Sequence, residues 1–374
     1  MAGIYLHIPF CRQACHYCNF HFSTSLHLQN EFIEALLKEV GLRASYLENQ
    51  PVSSIYFGGG TPSILDAAAI STIMNTLRQH FRIDTGAEIT LETNPDDINT
   101  DKLSAWKESG INRLSIGTQS FFDEDLEWMN RAHSAQQALD CIDLARGMGI
   151  DNISIDLIYG GPTLSDKKWL QNMETAMNSG ITHLSCYALT VEPQTALDHM
   201  IRKNKKEPVD PEKQARQFLM LIDKAAENGW EHYEISNFAK PEFRSRHNSS
   251  YWKGEHYLGL GPSAHSFNGH SRQWNIANNA LYIKSTLTGT VPSEAEELTE
   301  TNRLNEYIMT SLRTIEGISL RHLSSEFGDN ISEEVKRKAG KSIGVGHITI
   351  INDSLVLTRE GKLFADGIAA DLFF

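Results

Sequence analysis

Apolar and β-branched residues gather in short runs at 3–8, 53–57, 87–92, 113–118, 152–158 and 182–187, each of strand length. Between them, near 28–48, 66–81, 101–108, 135–147 and 166–178, apolar residues recur at helical spacing, and Asp66 and Ser165 stand where N-caps belong. Alternation of strand and helix predicts an α/β protein with a parallel sheet, and these units are too few for a closed eight-stranded barrel. After residue 190 the rhythm breaks. A helix is expected near 211–228, followed by an aromatic, glycine-rich region from 230 to 276.

From about residue 290 the pattern changes again. The acidic run Glu294-Ala295-Glu296-Glu297 leads into helices near 301–314, 319–327 and 332–340, and the apolar runs 348–351 and 355–358 flank Asn352-Asp353. Helices followed by a two-strand hairpin predict a winged-helix-like domain. The expected parts are therefore 1–190, an extension over 191–290, and a C-terminal domain over 291–374.

The densest chemistry lies in Cys11-Arg12-Gln13-Ala14-Cys15-His16-Tyr17-Cys18, which holds three of the chain's five cysteines at CxxxCxxC spacing. It follows Ile4-Tyr5-Leu6-His7-Ile8-Pro9-Phe10, a strand stopped by proline, so the thiols belong to a loop after the first strand. Three thiolates suit a [4Fe-4S] cluster with one iron left open to a small molecule. Zinc is the rival reading, with His16 or His21 as the fourth ligand. Cys141 and Cys186 lie in a helix-like and a strand-like run and read as buried, inert thiols. Tyr56-Phe57-Gly58-Gly59-Gly60-Thr61-Pro62-Ser63 ends the second strand in glycines, which suit either a tight turn or backbone close to a ligand. Glu92, Gln119 and Asp156 each fall near the end of a later strand. Singly they read as caps; together they suggest polar groups ringing one mouth.

With these motifs in this order, the chain resembles the radical S-adenosylmethionine (SAM) superfamily. The Y-x-H-I-P-F-C lead-in is similar to the coproporphyrinogen dehydrogenase group within it, which includes the oxygen-independent coproporphyrinogen III oxidases and a heme-chaperone branch. The resemblance implies a partial (β/α)6 barrel with chemistry at the strand carboxyl ends, and a [4Fe-4S] cluster on Cys11, Cys15 and Cys18. It further implies that SAM chelates the open iron, held by Gly59, Gly60 and Thr61 of the GGGTP loop and by Tyr5, Glu92, Gln119, Arg131, Asp156 and Thr190. The oxidases continue the cassette as CxxxCxxCxC, where this chain has Phe20, and they carry a longer segment before the cassette, which here begins at residue 11. Both departures point to the heme-chaperone branch. So do His247 and His265, in Arg246-His247-Asn248-Ser249-Ser250-Tyr251-Trp252 and Leu258-Gly259-Leu260-Gly261-Pro262-Ser263-Ala264-His265-Ser266, which resemble its H-N-x-x-Y-W and L-G-x-G-x-x-A-H-S signatures. Either histidine is a candidate heme contact, with a packed loop as the plainer reading.

The implied activity is heme binding and delivery to acceptor hemoproteins, with porphyrinogen decarboxylation as the alternative. An electron donor is expected; peripheral membrane contact and a homodimer stay open. A net charge of −13 argues against a phosphate-backbone partner, and Arg202-Lys203-Asn204-Lys205-Lys206 reads as a solvated element end. The C-terminal domain is read for the same reason as a cover or docking module, not a nucleic-acid binder. A 40% hydrophobic content supplies a core over 374 residues, no stretch reaches membrane-span length, and Met1-Ala2-Gly3 enters the first strand without a basic leader, so the cytoplasm is the expected place.

Overall fold

The computed structural model describes residues 1–374. Strand β1 (Ala2–Ile8) is followed by helix α1 (Gln29–Leu42), and then β2 (Val52–Gly59), α2 (Ala67–His80), β3 (Ile83–Thr93), α3 (Thr100–Ser109) and β4 (Arg113–Gln119). Two helices, α4 (Asp123–Met129) and α5 (Ala135–Gly147), precede β5 (Ile153–Tyr159), α6 (Asp166–Asn178) and β6 (His183–Ala188). Strands β1 to β6 pair in parallel in chain order. Their long apolar runs have a physical cause: helices cover a parallel sheet, so both faces of most strand residues are buried.

Helices α7 (Ala196–Arg202) and α8 (Pro211–Glu227) lead to β7 (Glu231–Glu234) and β8 (Asn237–Ala239), which extend the sheet antiparallel beyond β6. After α9 (Arg246–Trp252), strand β9 (His256–Leu260) returns to pair in parallel with β1. Strands β10 (His265–Phe267) and β11 (Ser271–Asn275), helix α10 (Asn279–Leu287) and strand β12 (Ser293–Glu297) complete that side. The result is one open sheet in the order β12-β11-β10-β9-β1-β2-β3-β4-β5-β6-β8-β7. One apolar core runs from Ala2 to Ile283.

The rest is α11 (Glu300–Leu312), β13 (Ile318–Ser319), α12 (Leu320–Phe327), α13 (Asp329–Gly344), β14 (Ile348–Ile351), β15 (Ser354–Leu357) and α14 (Ala365–Leu372), around a second core from Leu304 to Leu372. The short β13 joins the hairpin in a three-stranded sheet ordered β13-β15-β14. Ile235 packs partly against both cores, and buried Glu234 meets Arg313 at 3.1 Å across the join. No helix is long and apolar enough to cross a membrane.

The six parallel strands and the helices between them lie where the patterning predicts, and Asp66 and Ser165 do cap α2 and α6. Helix α1 stops at Leu42, short of the expected 48, and the chain continues through turns that end in Glu48 and Asn49, both with positive φ. Tyr46 and Leu47 still pack on the core from that turn, which is why the apolar spacing ran on. The acidic run does precede a helix, α11, and itself forms the exposed edge strand β12, with Glu296 opposite Arg272 of β11.

Candidate functional site

Phe10 is fully buried and anchors the cassette loop to the end of β1. At the loop's base, Cys11 N–H donates to the Ser23 carbonyl (3.0 Å) and Ser23 N–H to that of Pro9 (2.9 Å). Its far side is tied to the end of α4: His16 N–H donates to the Met129 carbonyl (3.1 Å), and Asn130 Nδ2 to that of Ala14 (2.7 Å). Residues 11–18 are thereby fixed over the carboxyl ends of the parallel strands.

Each thiol has its own donor. Thr61 Oγ1 donates to Cys11 Sγ (3.4 Å), Arg131 Nη1 to Cys15 Sγ (3.2 Å), and the Phe20 backbone N–H to the Cys18 thiol. Donors of this kind favour thiolate, whereas burial pushes the Cys11 thiol up to about 11 and the Cys18 thiol upward. The zinc reading finds no support. His16 Nδ1 lies 3.1 Å from the Trp128 carbonyl and 2.9 Å from Lys206 Nζ, and His21 Nε2 donates to Asn279 Oδ1 (2.7 Å), so both expected fourth ligands already hold other partners.

Beneath the loop lies a cavity of about 400 Å³. Its wall includes all three cysteines together with Gly59, Gly60, Thr61, Glu92, Gln119, Arg131, Asp156 and Thr190, so these expected site residues converge. Glu92 accepts from the Tyr56 hydroxyl (2.8 Å) and the Gly59 N–H, yet burial pushes its carboxyl up to about 7. Asp156 is pushed up to about 6, again chiefly by burial, against a hydrogen bond from Ser185. Two deep carboxyls with spare acceptor capacity suit a cationic ligand rich in donors. Arg131 Nη2 donates to Asn94 Oδ1 (2.6 Å) and the Gly117 carbonyl (2.8 Å), while its buried Nε has no partner. The register of β4 slips between Ile116 and Gln119, and Gln119 takes φ +66°, a strained conformation that brings it to the cavity wall.

The glycines also pack the cassette loop itself. A Cβ on Gly60 would lie 2.6 Å from the Phe10 carbonyl oxygen, and one on Gly59, at φ +104°, would lie 2.7 Å from the His7 ring. Their N–H groups are not aimed at a ligand either: Gly60 and Thr61 donate to the Ile8 and Phe10 carbonyls (2.9 and 2.7 Å). Absent side chains here let β2 close against the base of the cassette loop. Asn94 and Tyr17 also line the cavity and were not singled out by pattern; both arrive through tertiary contacts.

Tyr5, whose ring stacks on Tyr56 beside Glu92, and His265 open on the other side of β1. They line a second crevice of about 490 Å³ with His7, His21, Tyr251, Tyr257 and Ser263, and this crevice meets the first cavity at Asn19 and Phe20. His247 lines neither. It is 1% exposed, its Nδ1 pairs with Ser54 Oγ and its Nε2 with the Tyr251 hydroxyl (both 2.9 Å), and its ring stacks on Tyr56 at 5.1 Å. Burial lowers its imidazole to about 3. The candidate heme contact at His247 is thus corrected: the H-N-x-x-Y-W segment forms α9, and its histidine is committed to the core.

A thiol-bearing loop over the carboxyl ends of six parallel strands defines a class, and residues 5–176 match the family model of the radical SAM superfamily. Residues 298–364 match that of the HemN C-terminal domain. The chain is 31% identical to the heme chaperone HemW of Bacillus subtilis, over 98% of this chain and 97% of that one. It is 30% identical to HemW of Escherichia coli K12, over 98% and 96%. Among solved structures, coproporphyrinogen III oxidase (HemN) from E. coli, described as a radical SAM enzyme, superposes with a TM-score of 0.86 at 24% identity, covering 100% of this chain and 90% of that one, which establishes the fold. The chain belongs to the heme chaperone HemW family of the radical SAM superfamily.

Proposed function

We propose that this chain is a heme chaperone that binds heme and passes it to acceptor hemoproteins. One juxtaposition carries the reading: three thiols, each met by a donor, stand over a cavity with two deep carboxyls, and only Asn19 and Phe20 divide it from a crevice of histidine and tyrosine. End-to-end similarity to relatives named as heme chaperones supports it. In this reading Cys11, Cys15 and Cys18 hold a [4Fe-4S] cluster. Such a cluster, when bound, supplies single electrons and an open iron that the amine and carboxylate of SAM can chelate.

The protein's part is positioning. Thr61 and Arg131 steady the sulfurs of Cys11 and Cys15. Glu92 and Asp156, both in the cavity wall, would accept from the amine and hydroxyl groups of SAM, and Gln119 and Thr190 would border it. Partners required by the reading are heme, acceptor hemoproteins and an electron donor, in the cytoplasm and without nucleic acid. Delivery at a membrane surface and pairing of two chains are compatible with it and not required. Residues 1–190 are taken as the catalytic-type barrel, 191–290 as its extension, and 291–374 as a winged-helix-like domain on which an acceptor docks.

The test is a paired assay on anaerobically reconstituted protein. Heme is titrated into one portion; coproporphyrinogen III, SAM and dithionite are added to another. Tight heme binding without protoporphyrinogen formation is expected. Sustained turnover of coproporphyrinogen III would replace this reading with that of a dehydrogenase.

A further inference from the structure

Three histidines line the crevice, and they differ in what their rings already do. His7 is 5% exposed; its Nε2 donates to the His21 carbonyl (2.8 Å) and its Nδ1 accepts from the Tyr5 hydroxyl (3.3 Å). His21 spends Nε2 on Asn279. His265 is exposed, and its ring, unlike the other two, is not hydrogen-bonded to the protein. His21 keeps Nδ1 unpaired but its ring is tethered through Nε2, whereas His265 is the most exposed of the three and has both ring nitrogens uncommitted, and an uncommitted imidazole is a common metal ligand.

The ring is also restrained. His265 opens β10 directly opposite Trp274 of β11, and the two rings stack at 6.1 Å and 29°. Ser263, two residues earlier, has φ +64° and lines the crevice, so the chain turns sharply into this position. Phe20, 67% exposed, lines the same crevice from the loop that carries the cysteines. A large apolar ring left exposed at the junction of two cavities invites a flat aromatic partner. Tyr251 and Tyr257, packed edge to face at 4.6 Å, complete a wall that is aromatic and neutral, in contrast to the carboxyl-bearing cavity next door.

Resting on the heme-chaperone reading above, we propose that the crevice is the heme site, with His265 as the axial ligand to iron and Phe20 against the face of the macrocycle. His247, in the family-like signature, then acts only as packing. The porphyrin borders the cassette loop without entering the cavity assigned to SAM.

The experiment titrates hemin into full-length, cluster-reconstituted protein and into the H265A, H265Q, H21A and F20A variants, reading the Soret band and affinity. Loss of even an outer-shell partner of a metal ligand costs about 10- to 100-fold, so H265A and H265Q should bind hemin at least about tenfold more weakly with a shifted Soret maximum. Added imidazole should restore the H265A spectrum, which a merely structural role would not allow. H21A should keep the wild-type band, and F20A should weaken binding while leaving the band in place. An unchanged Soret band and affinity in both His265 variants, beside normal binding by wild type, overturns this assignment alone. Failure of the wild-type protein itself to bind hemin overturns the chaperone reading and this site with it.

Discussion

The two cavities share a loop and a first strand but differ in almost every other respect. The cavity under the cysteines sits at the carboxyl ends of parallel strands and carries Glu92, Asp156 and Arg131. The crevice is bounded by β1, the β9–β10 turn and α9, and its wall is imidazole, phenol and a bare phenyl ring. Charge is buried on one side of Phe20 and avoided on the other. Deep carboxyls are costly unless a cationic or donor-rich ligand meets them, whereas an uncharged aromatic wall suits a large flat one. One fold thus offers two kinds of solvation a few residues apart.

The sharpest way to break this contrast is to remove the thiols. Serine at Cys11, Cys15 or Cys18 should reduce iron from about four per chain to near zero after anaerobic reconstitution, while hemin binding persists because the crevice has no cysteine in its wall. Iron and sulfide analysis beside a Soret titration checks both halves.

Gly60→Val should affect both compartments at once. Its Cβ would meet backbone of Phe10 and Ile8, not a side chain that can swing away. Forced overpacking typically costs about 1–3 kcal/mol, visible in urea denaturation, and the displaced loop should lose its cluster. Normal stability with loss of SAM binding alone would restore the simpler view that these glycines only clear space for a ligand.

Glu92→Gln should separate function from stability. The raised pKa of Glu92 means its contribution to stability is present below the usual carboxylate range and is lost as pH rises through about 7. At pH 8 the ionised side chain therefore costs stability, at most about 3 kcal/mol and less where the cavity admits water. The glutamine variant should unfold at higher urea than wild type at pH 8 and match it at pH 5, yet bind SAM more weakly. In the wild type, SAM affinity should fall by up to roughly tenfold per pH unit below 7 if the ionised form is the binding form. A flat SAM affinity between pH 5.5 and 8 would remove Glu92 from that role.

The smallest effects should come from Cys141 and Cys186, both buried in the barrel core, where serine should leave the iron content unchanged and lower stability by about 1 kcal/mol.

The same contrast decides what could be read from the chain alone. The parallel half was legible because a strand covered on both faces must be apolar throughout, and the cassette and the carboxyls at strand ends stand out by spacing. The antiparallel half was not. Strand β11 reads Ser-Arg-Gln-Trp-Asn and β12 is exposed along its whole length, so neither shows the period that patterning detects. Arg131 was legible only through resemblance, since its contacts to Cys15 and Asn94 span more than thirty residues of chain. His247 misled for a related reason: a motif gives the identity of a side chain and not whether it faces a cavity or the core.

The central claim is that the two compartments take different ligands at the same time. Equilibrium dialysis of labelled SAM against reconstituted protein, with hemin titrated in and the Soret band followed, tests it most directly. The account predicts one SAM and one heme bound together per chain, each at the affinity it shows alone; displacement of SAM by hemin, or of hemin by SAM, would contradict it.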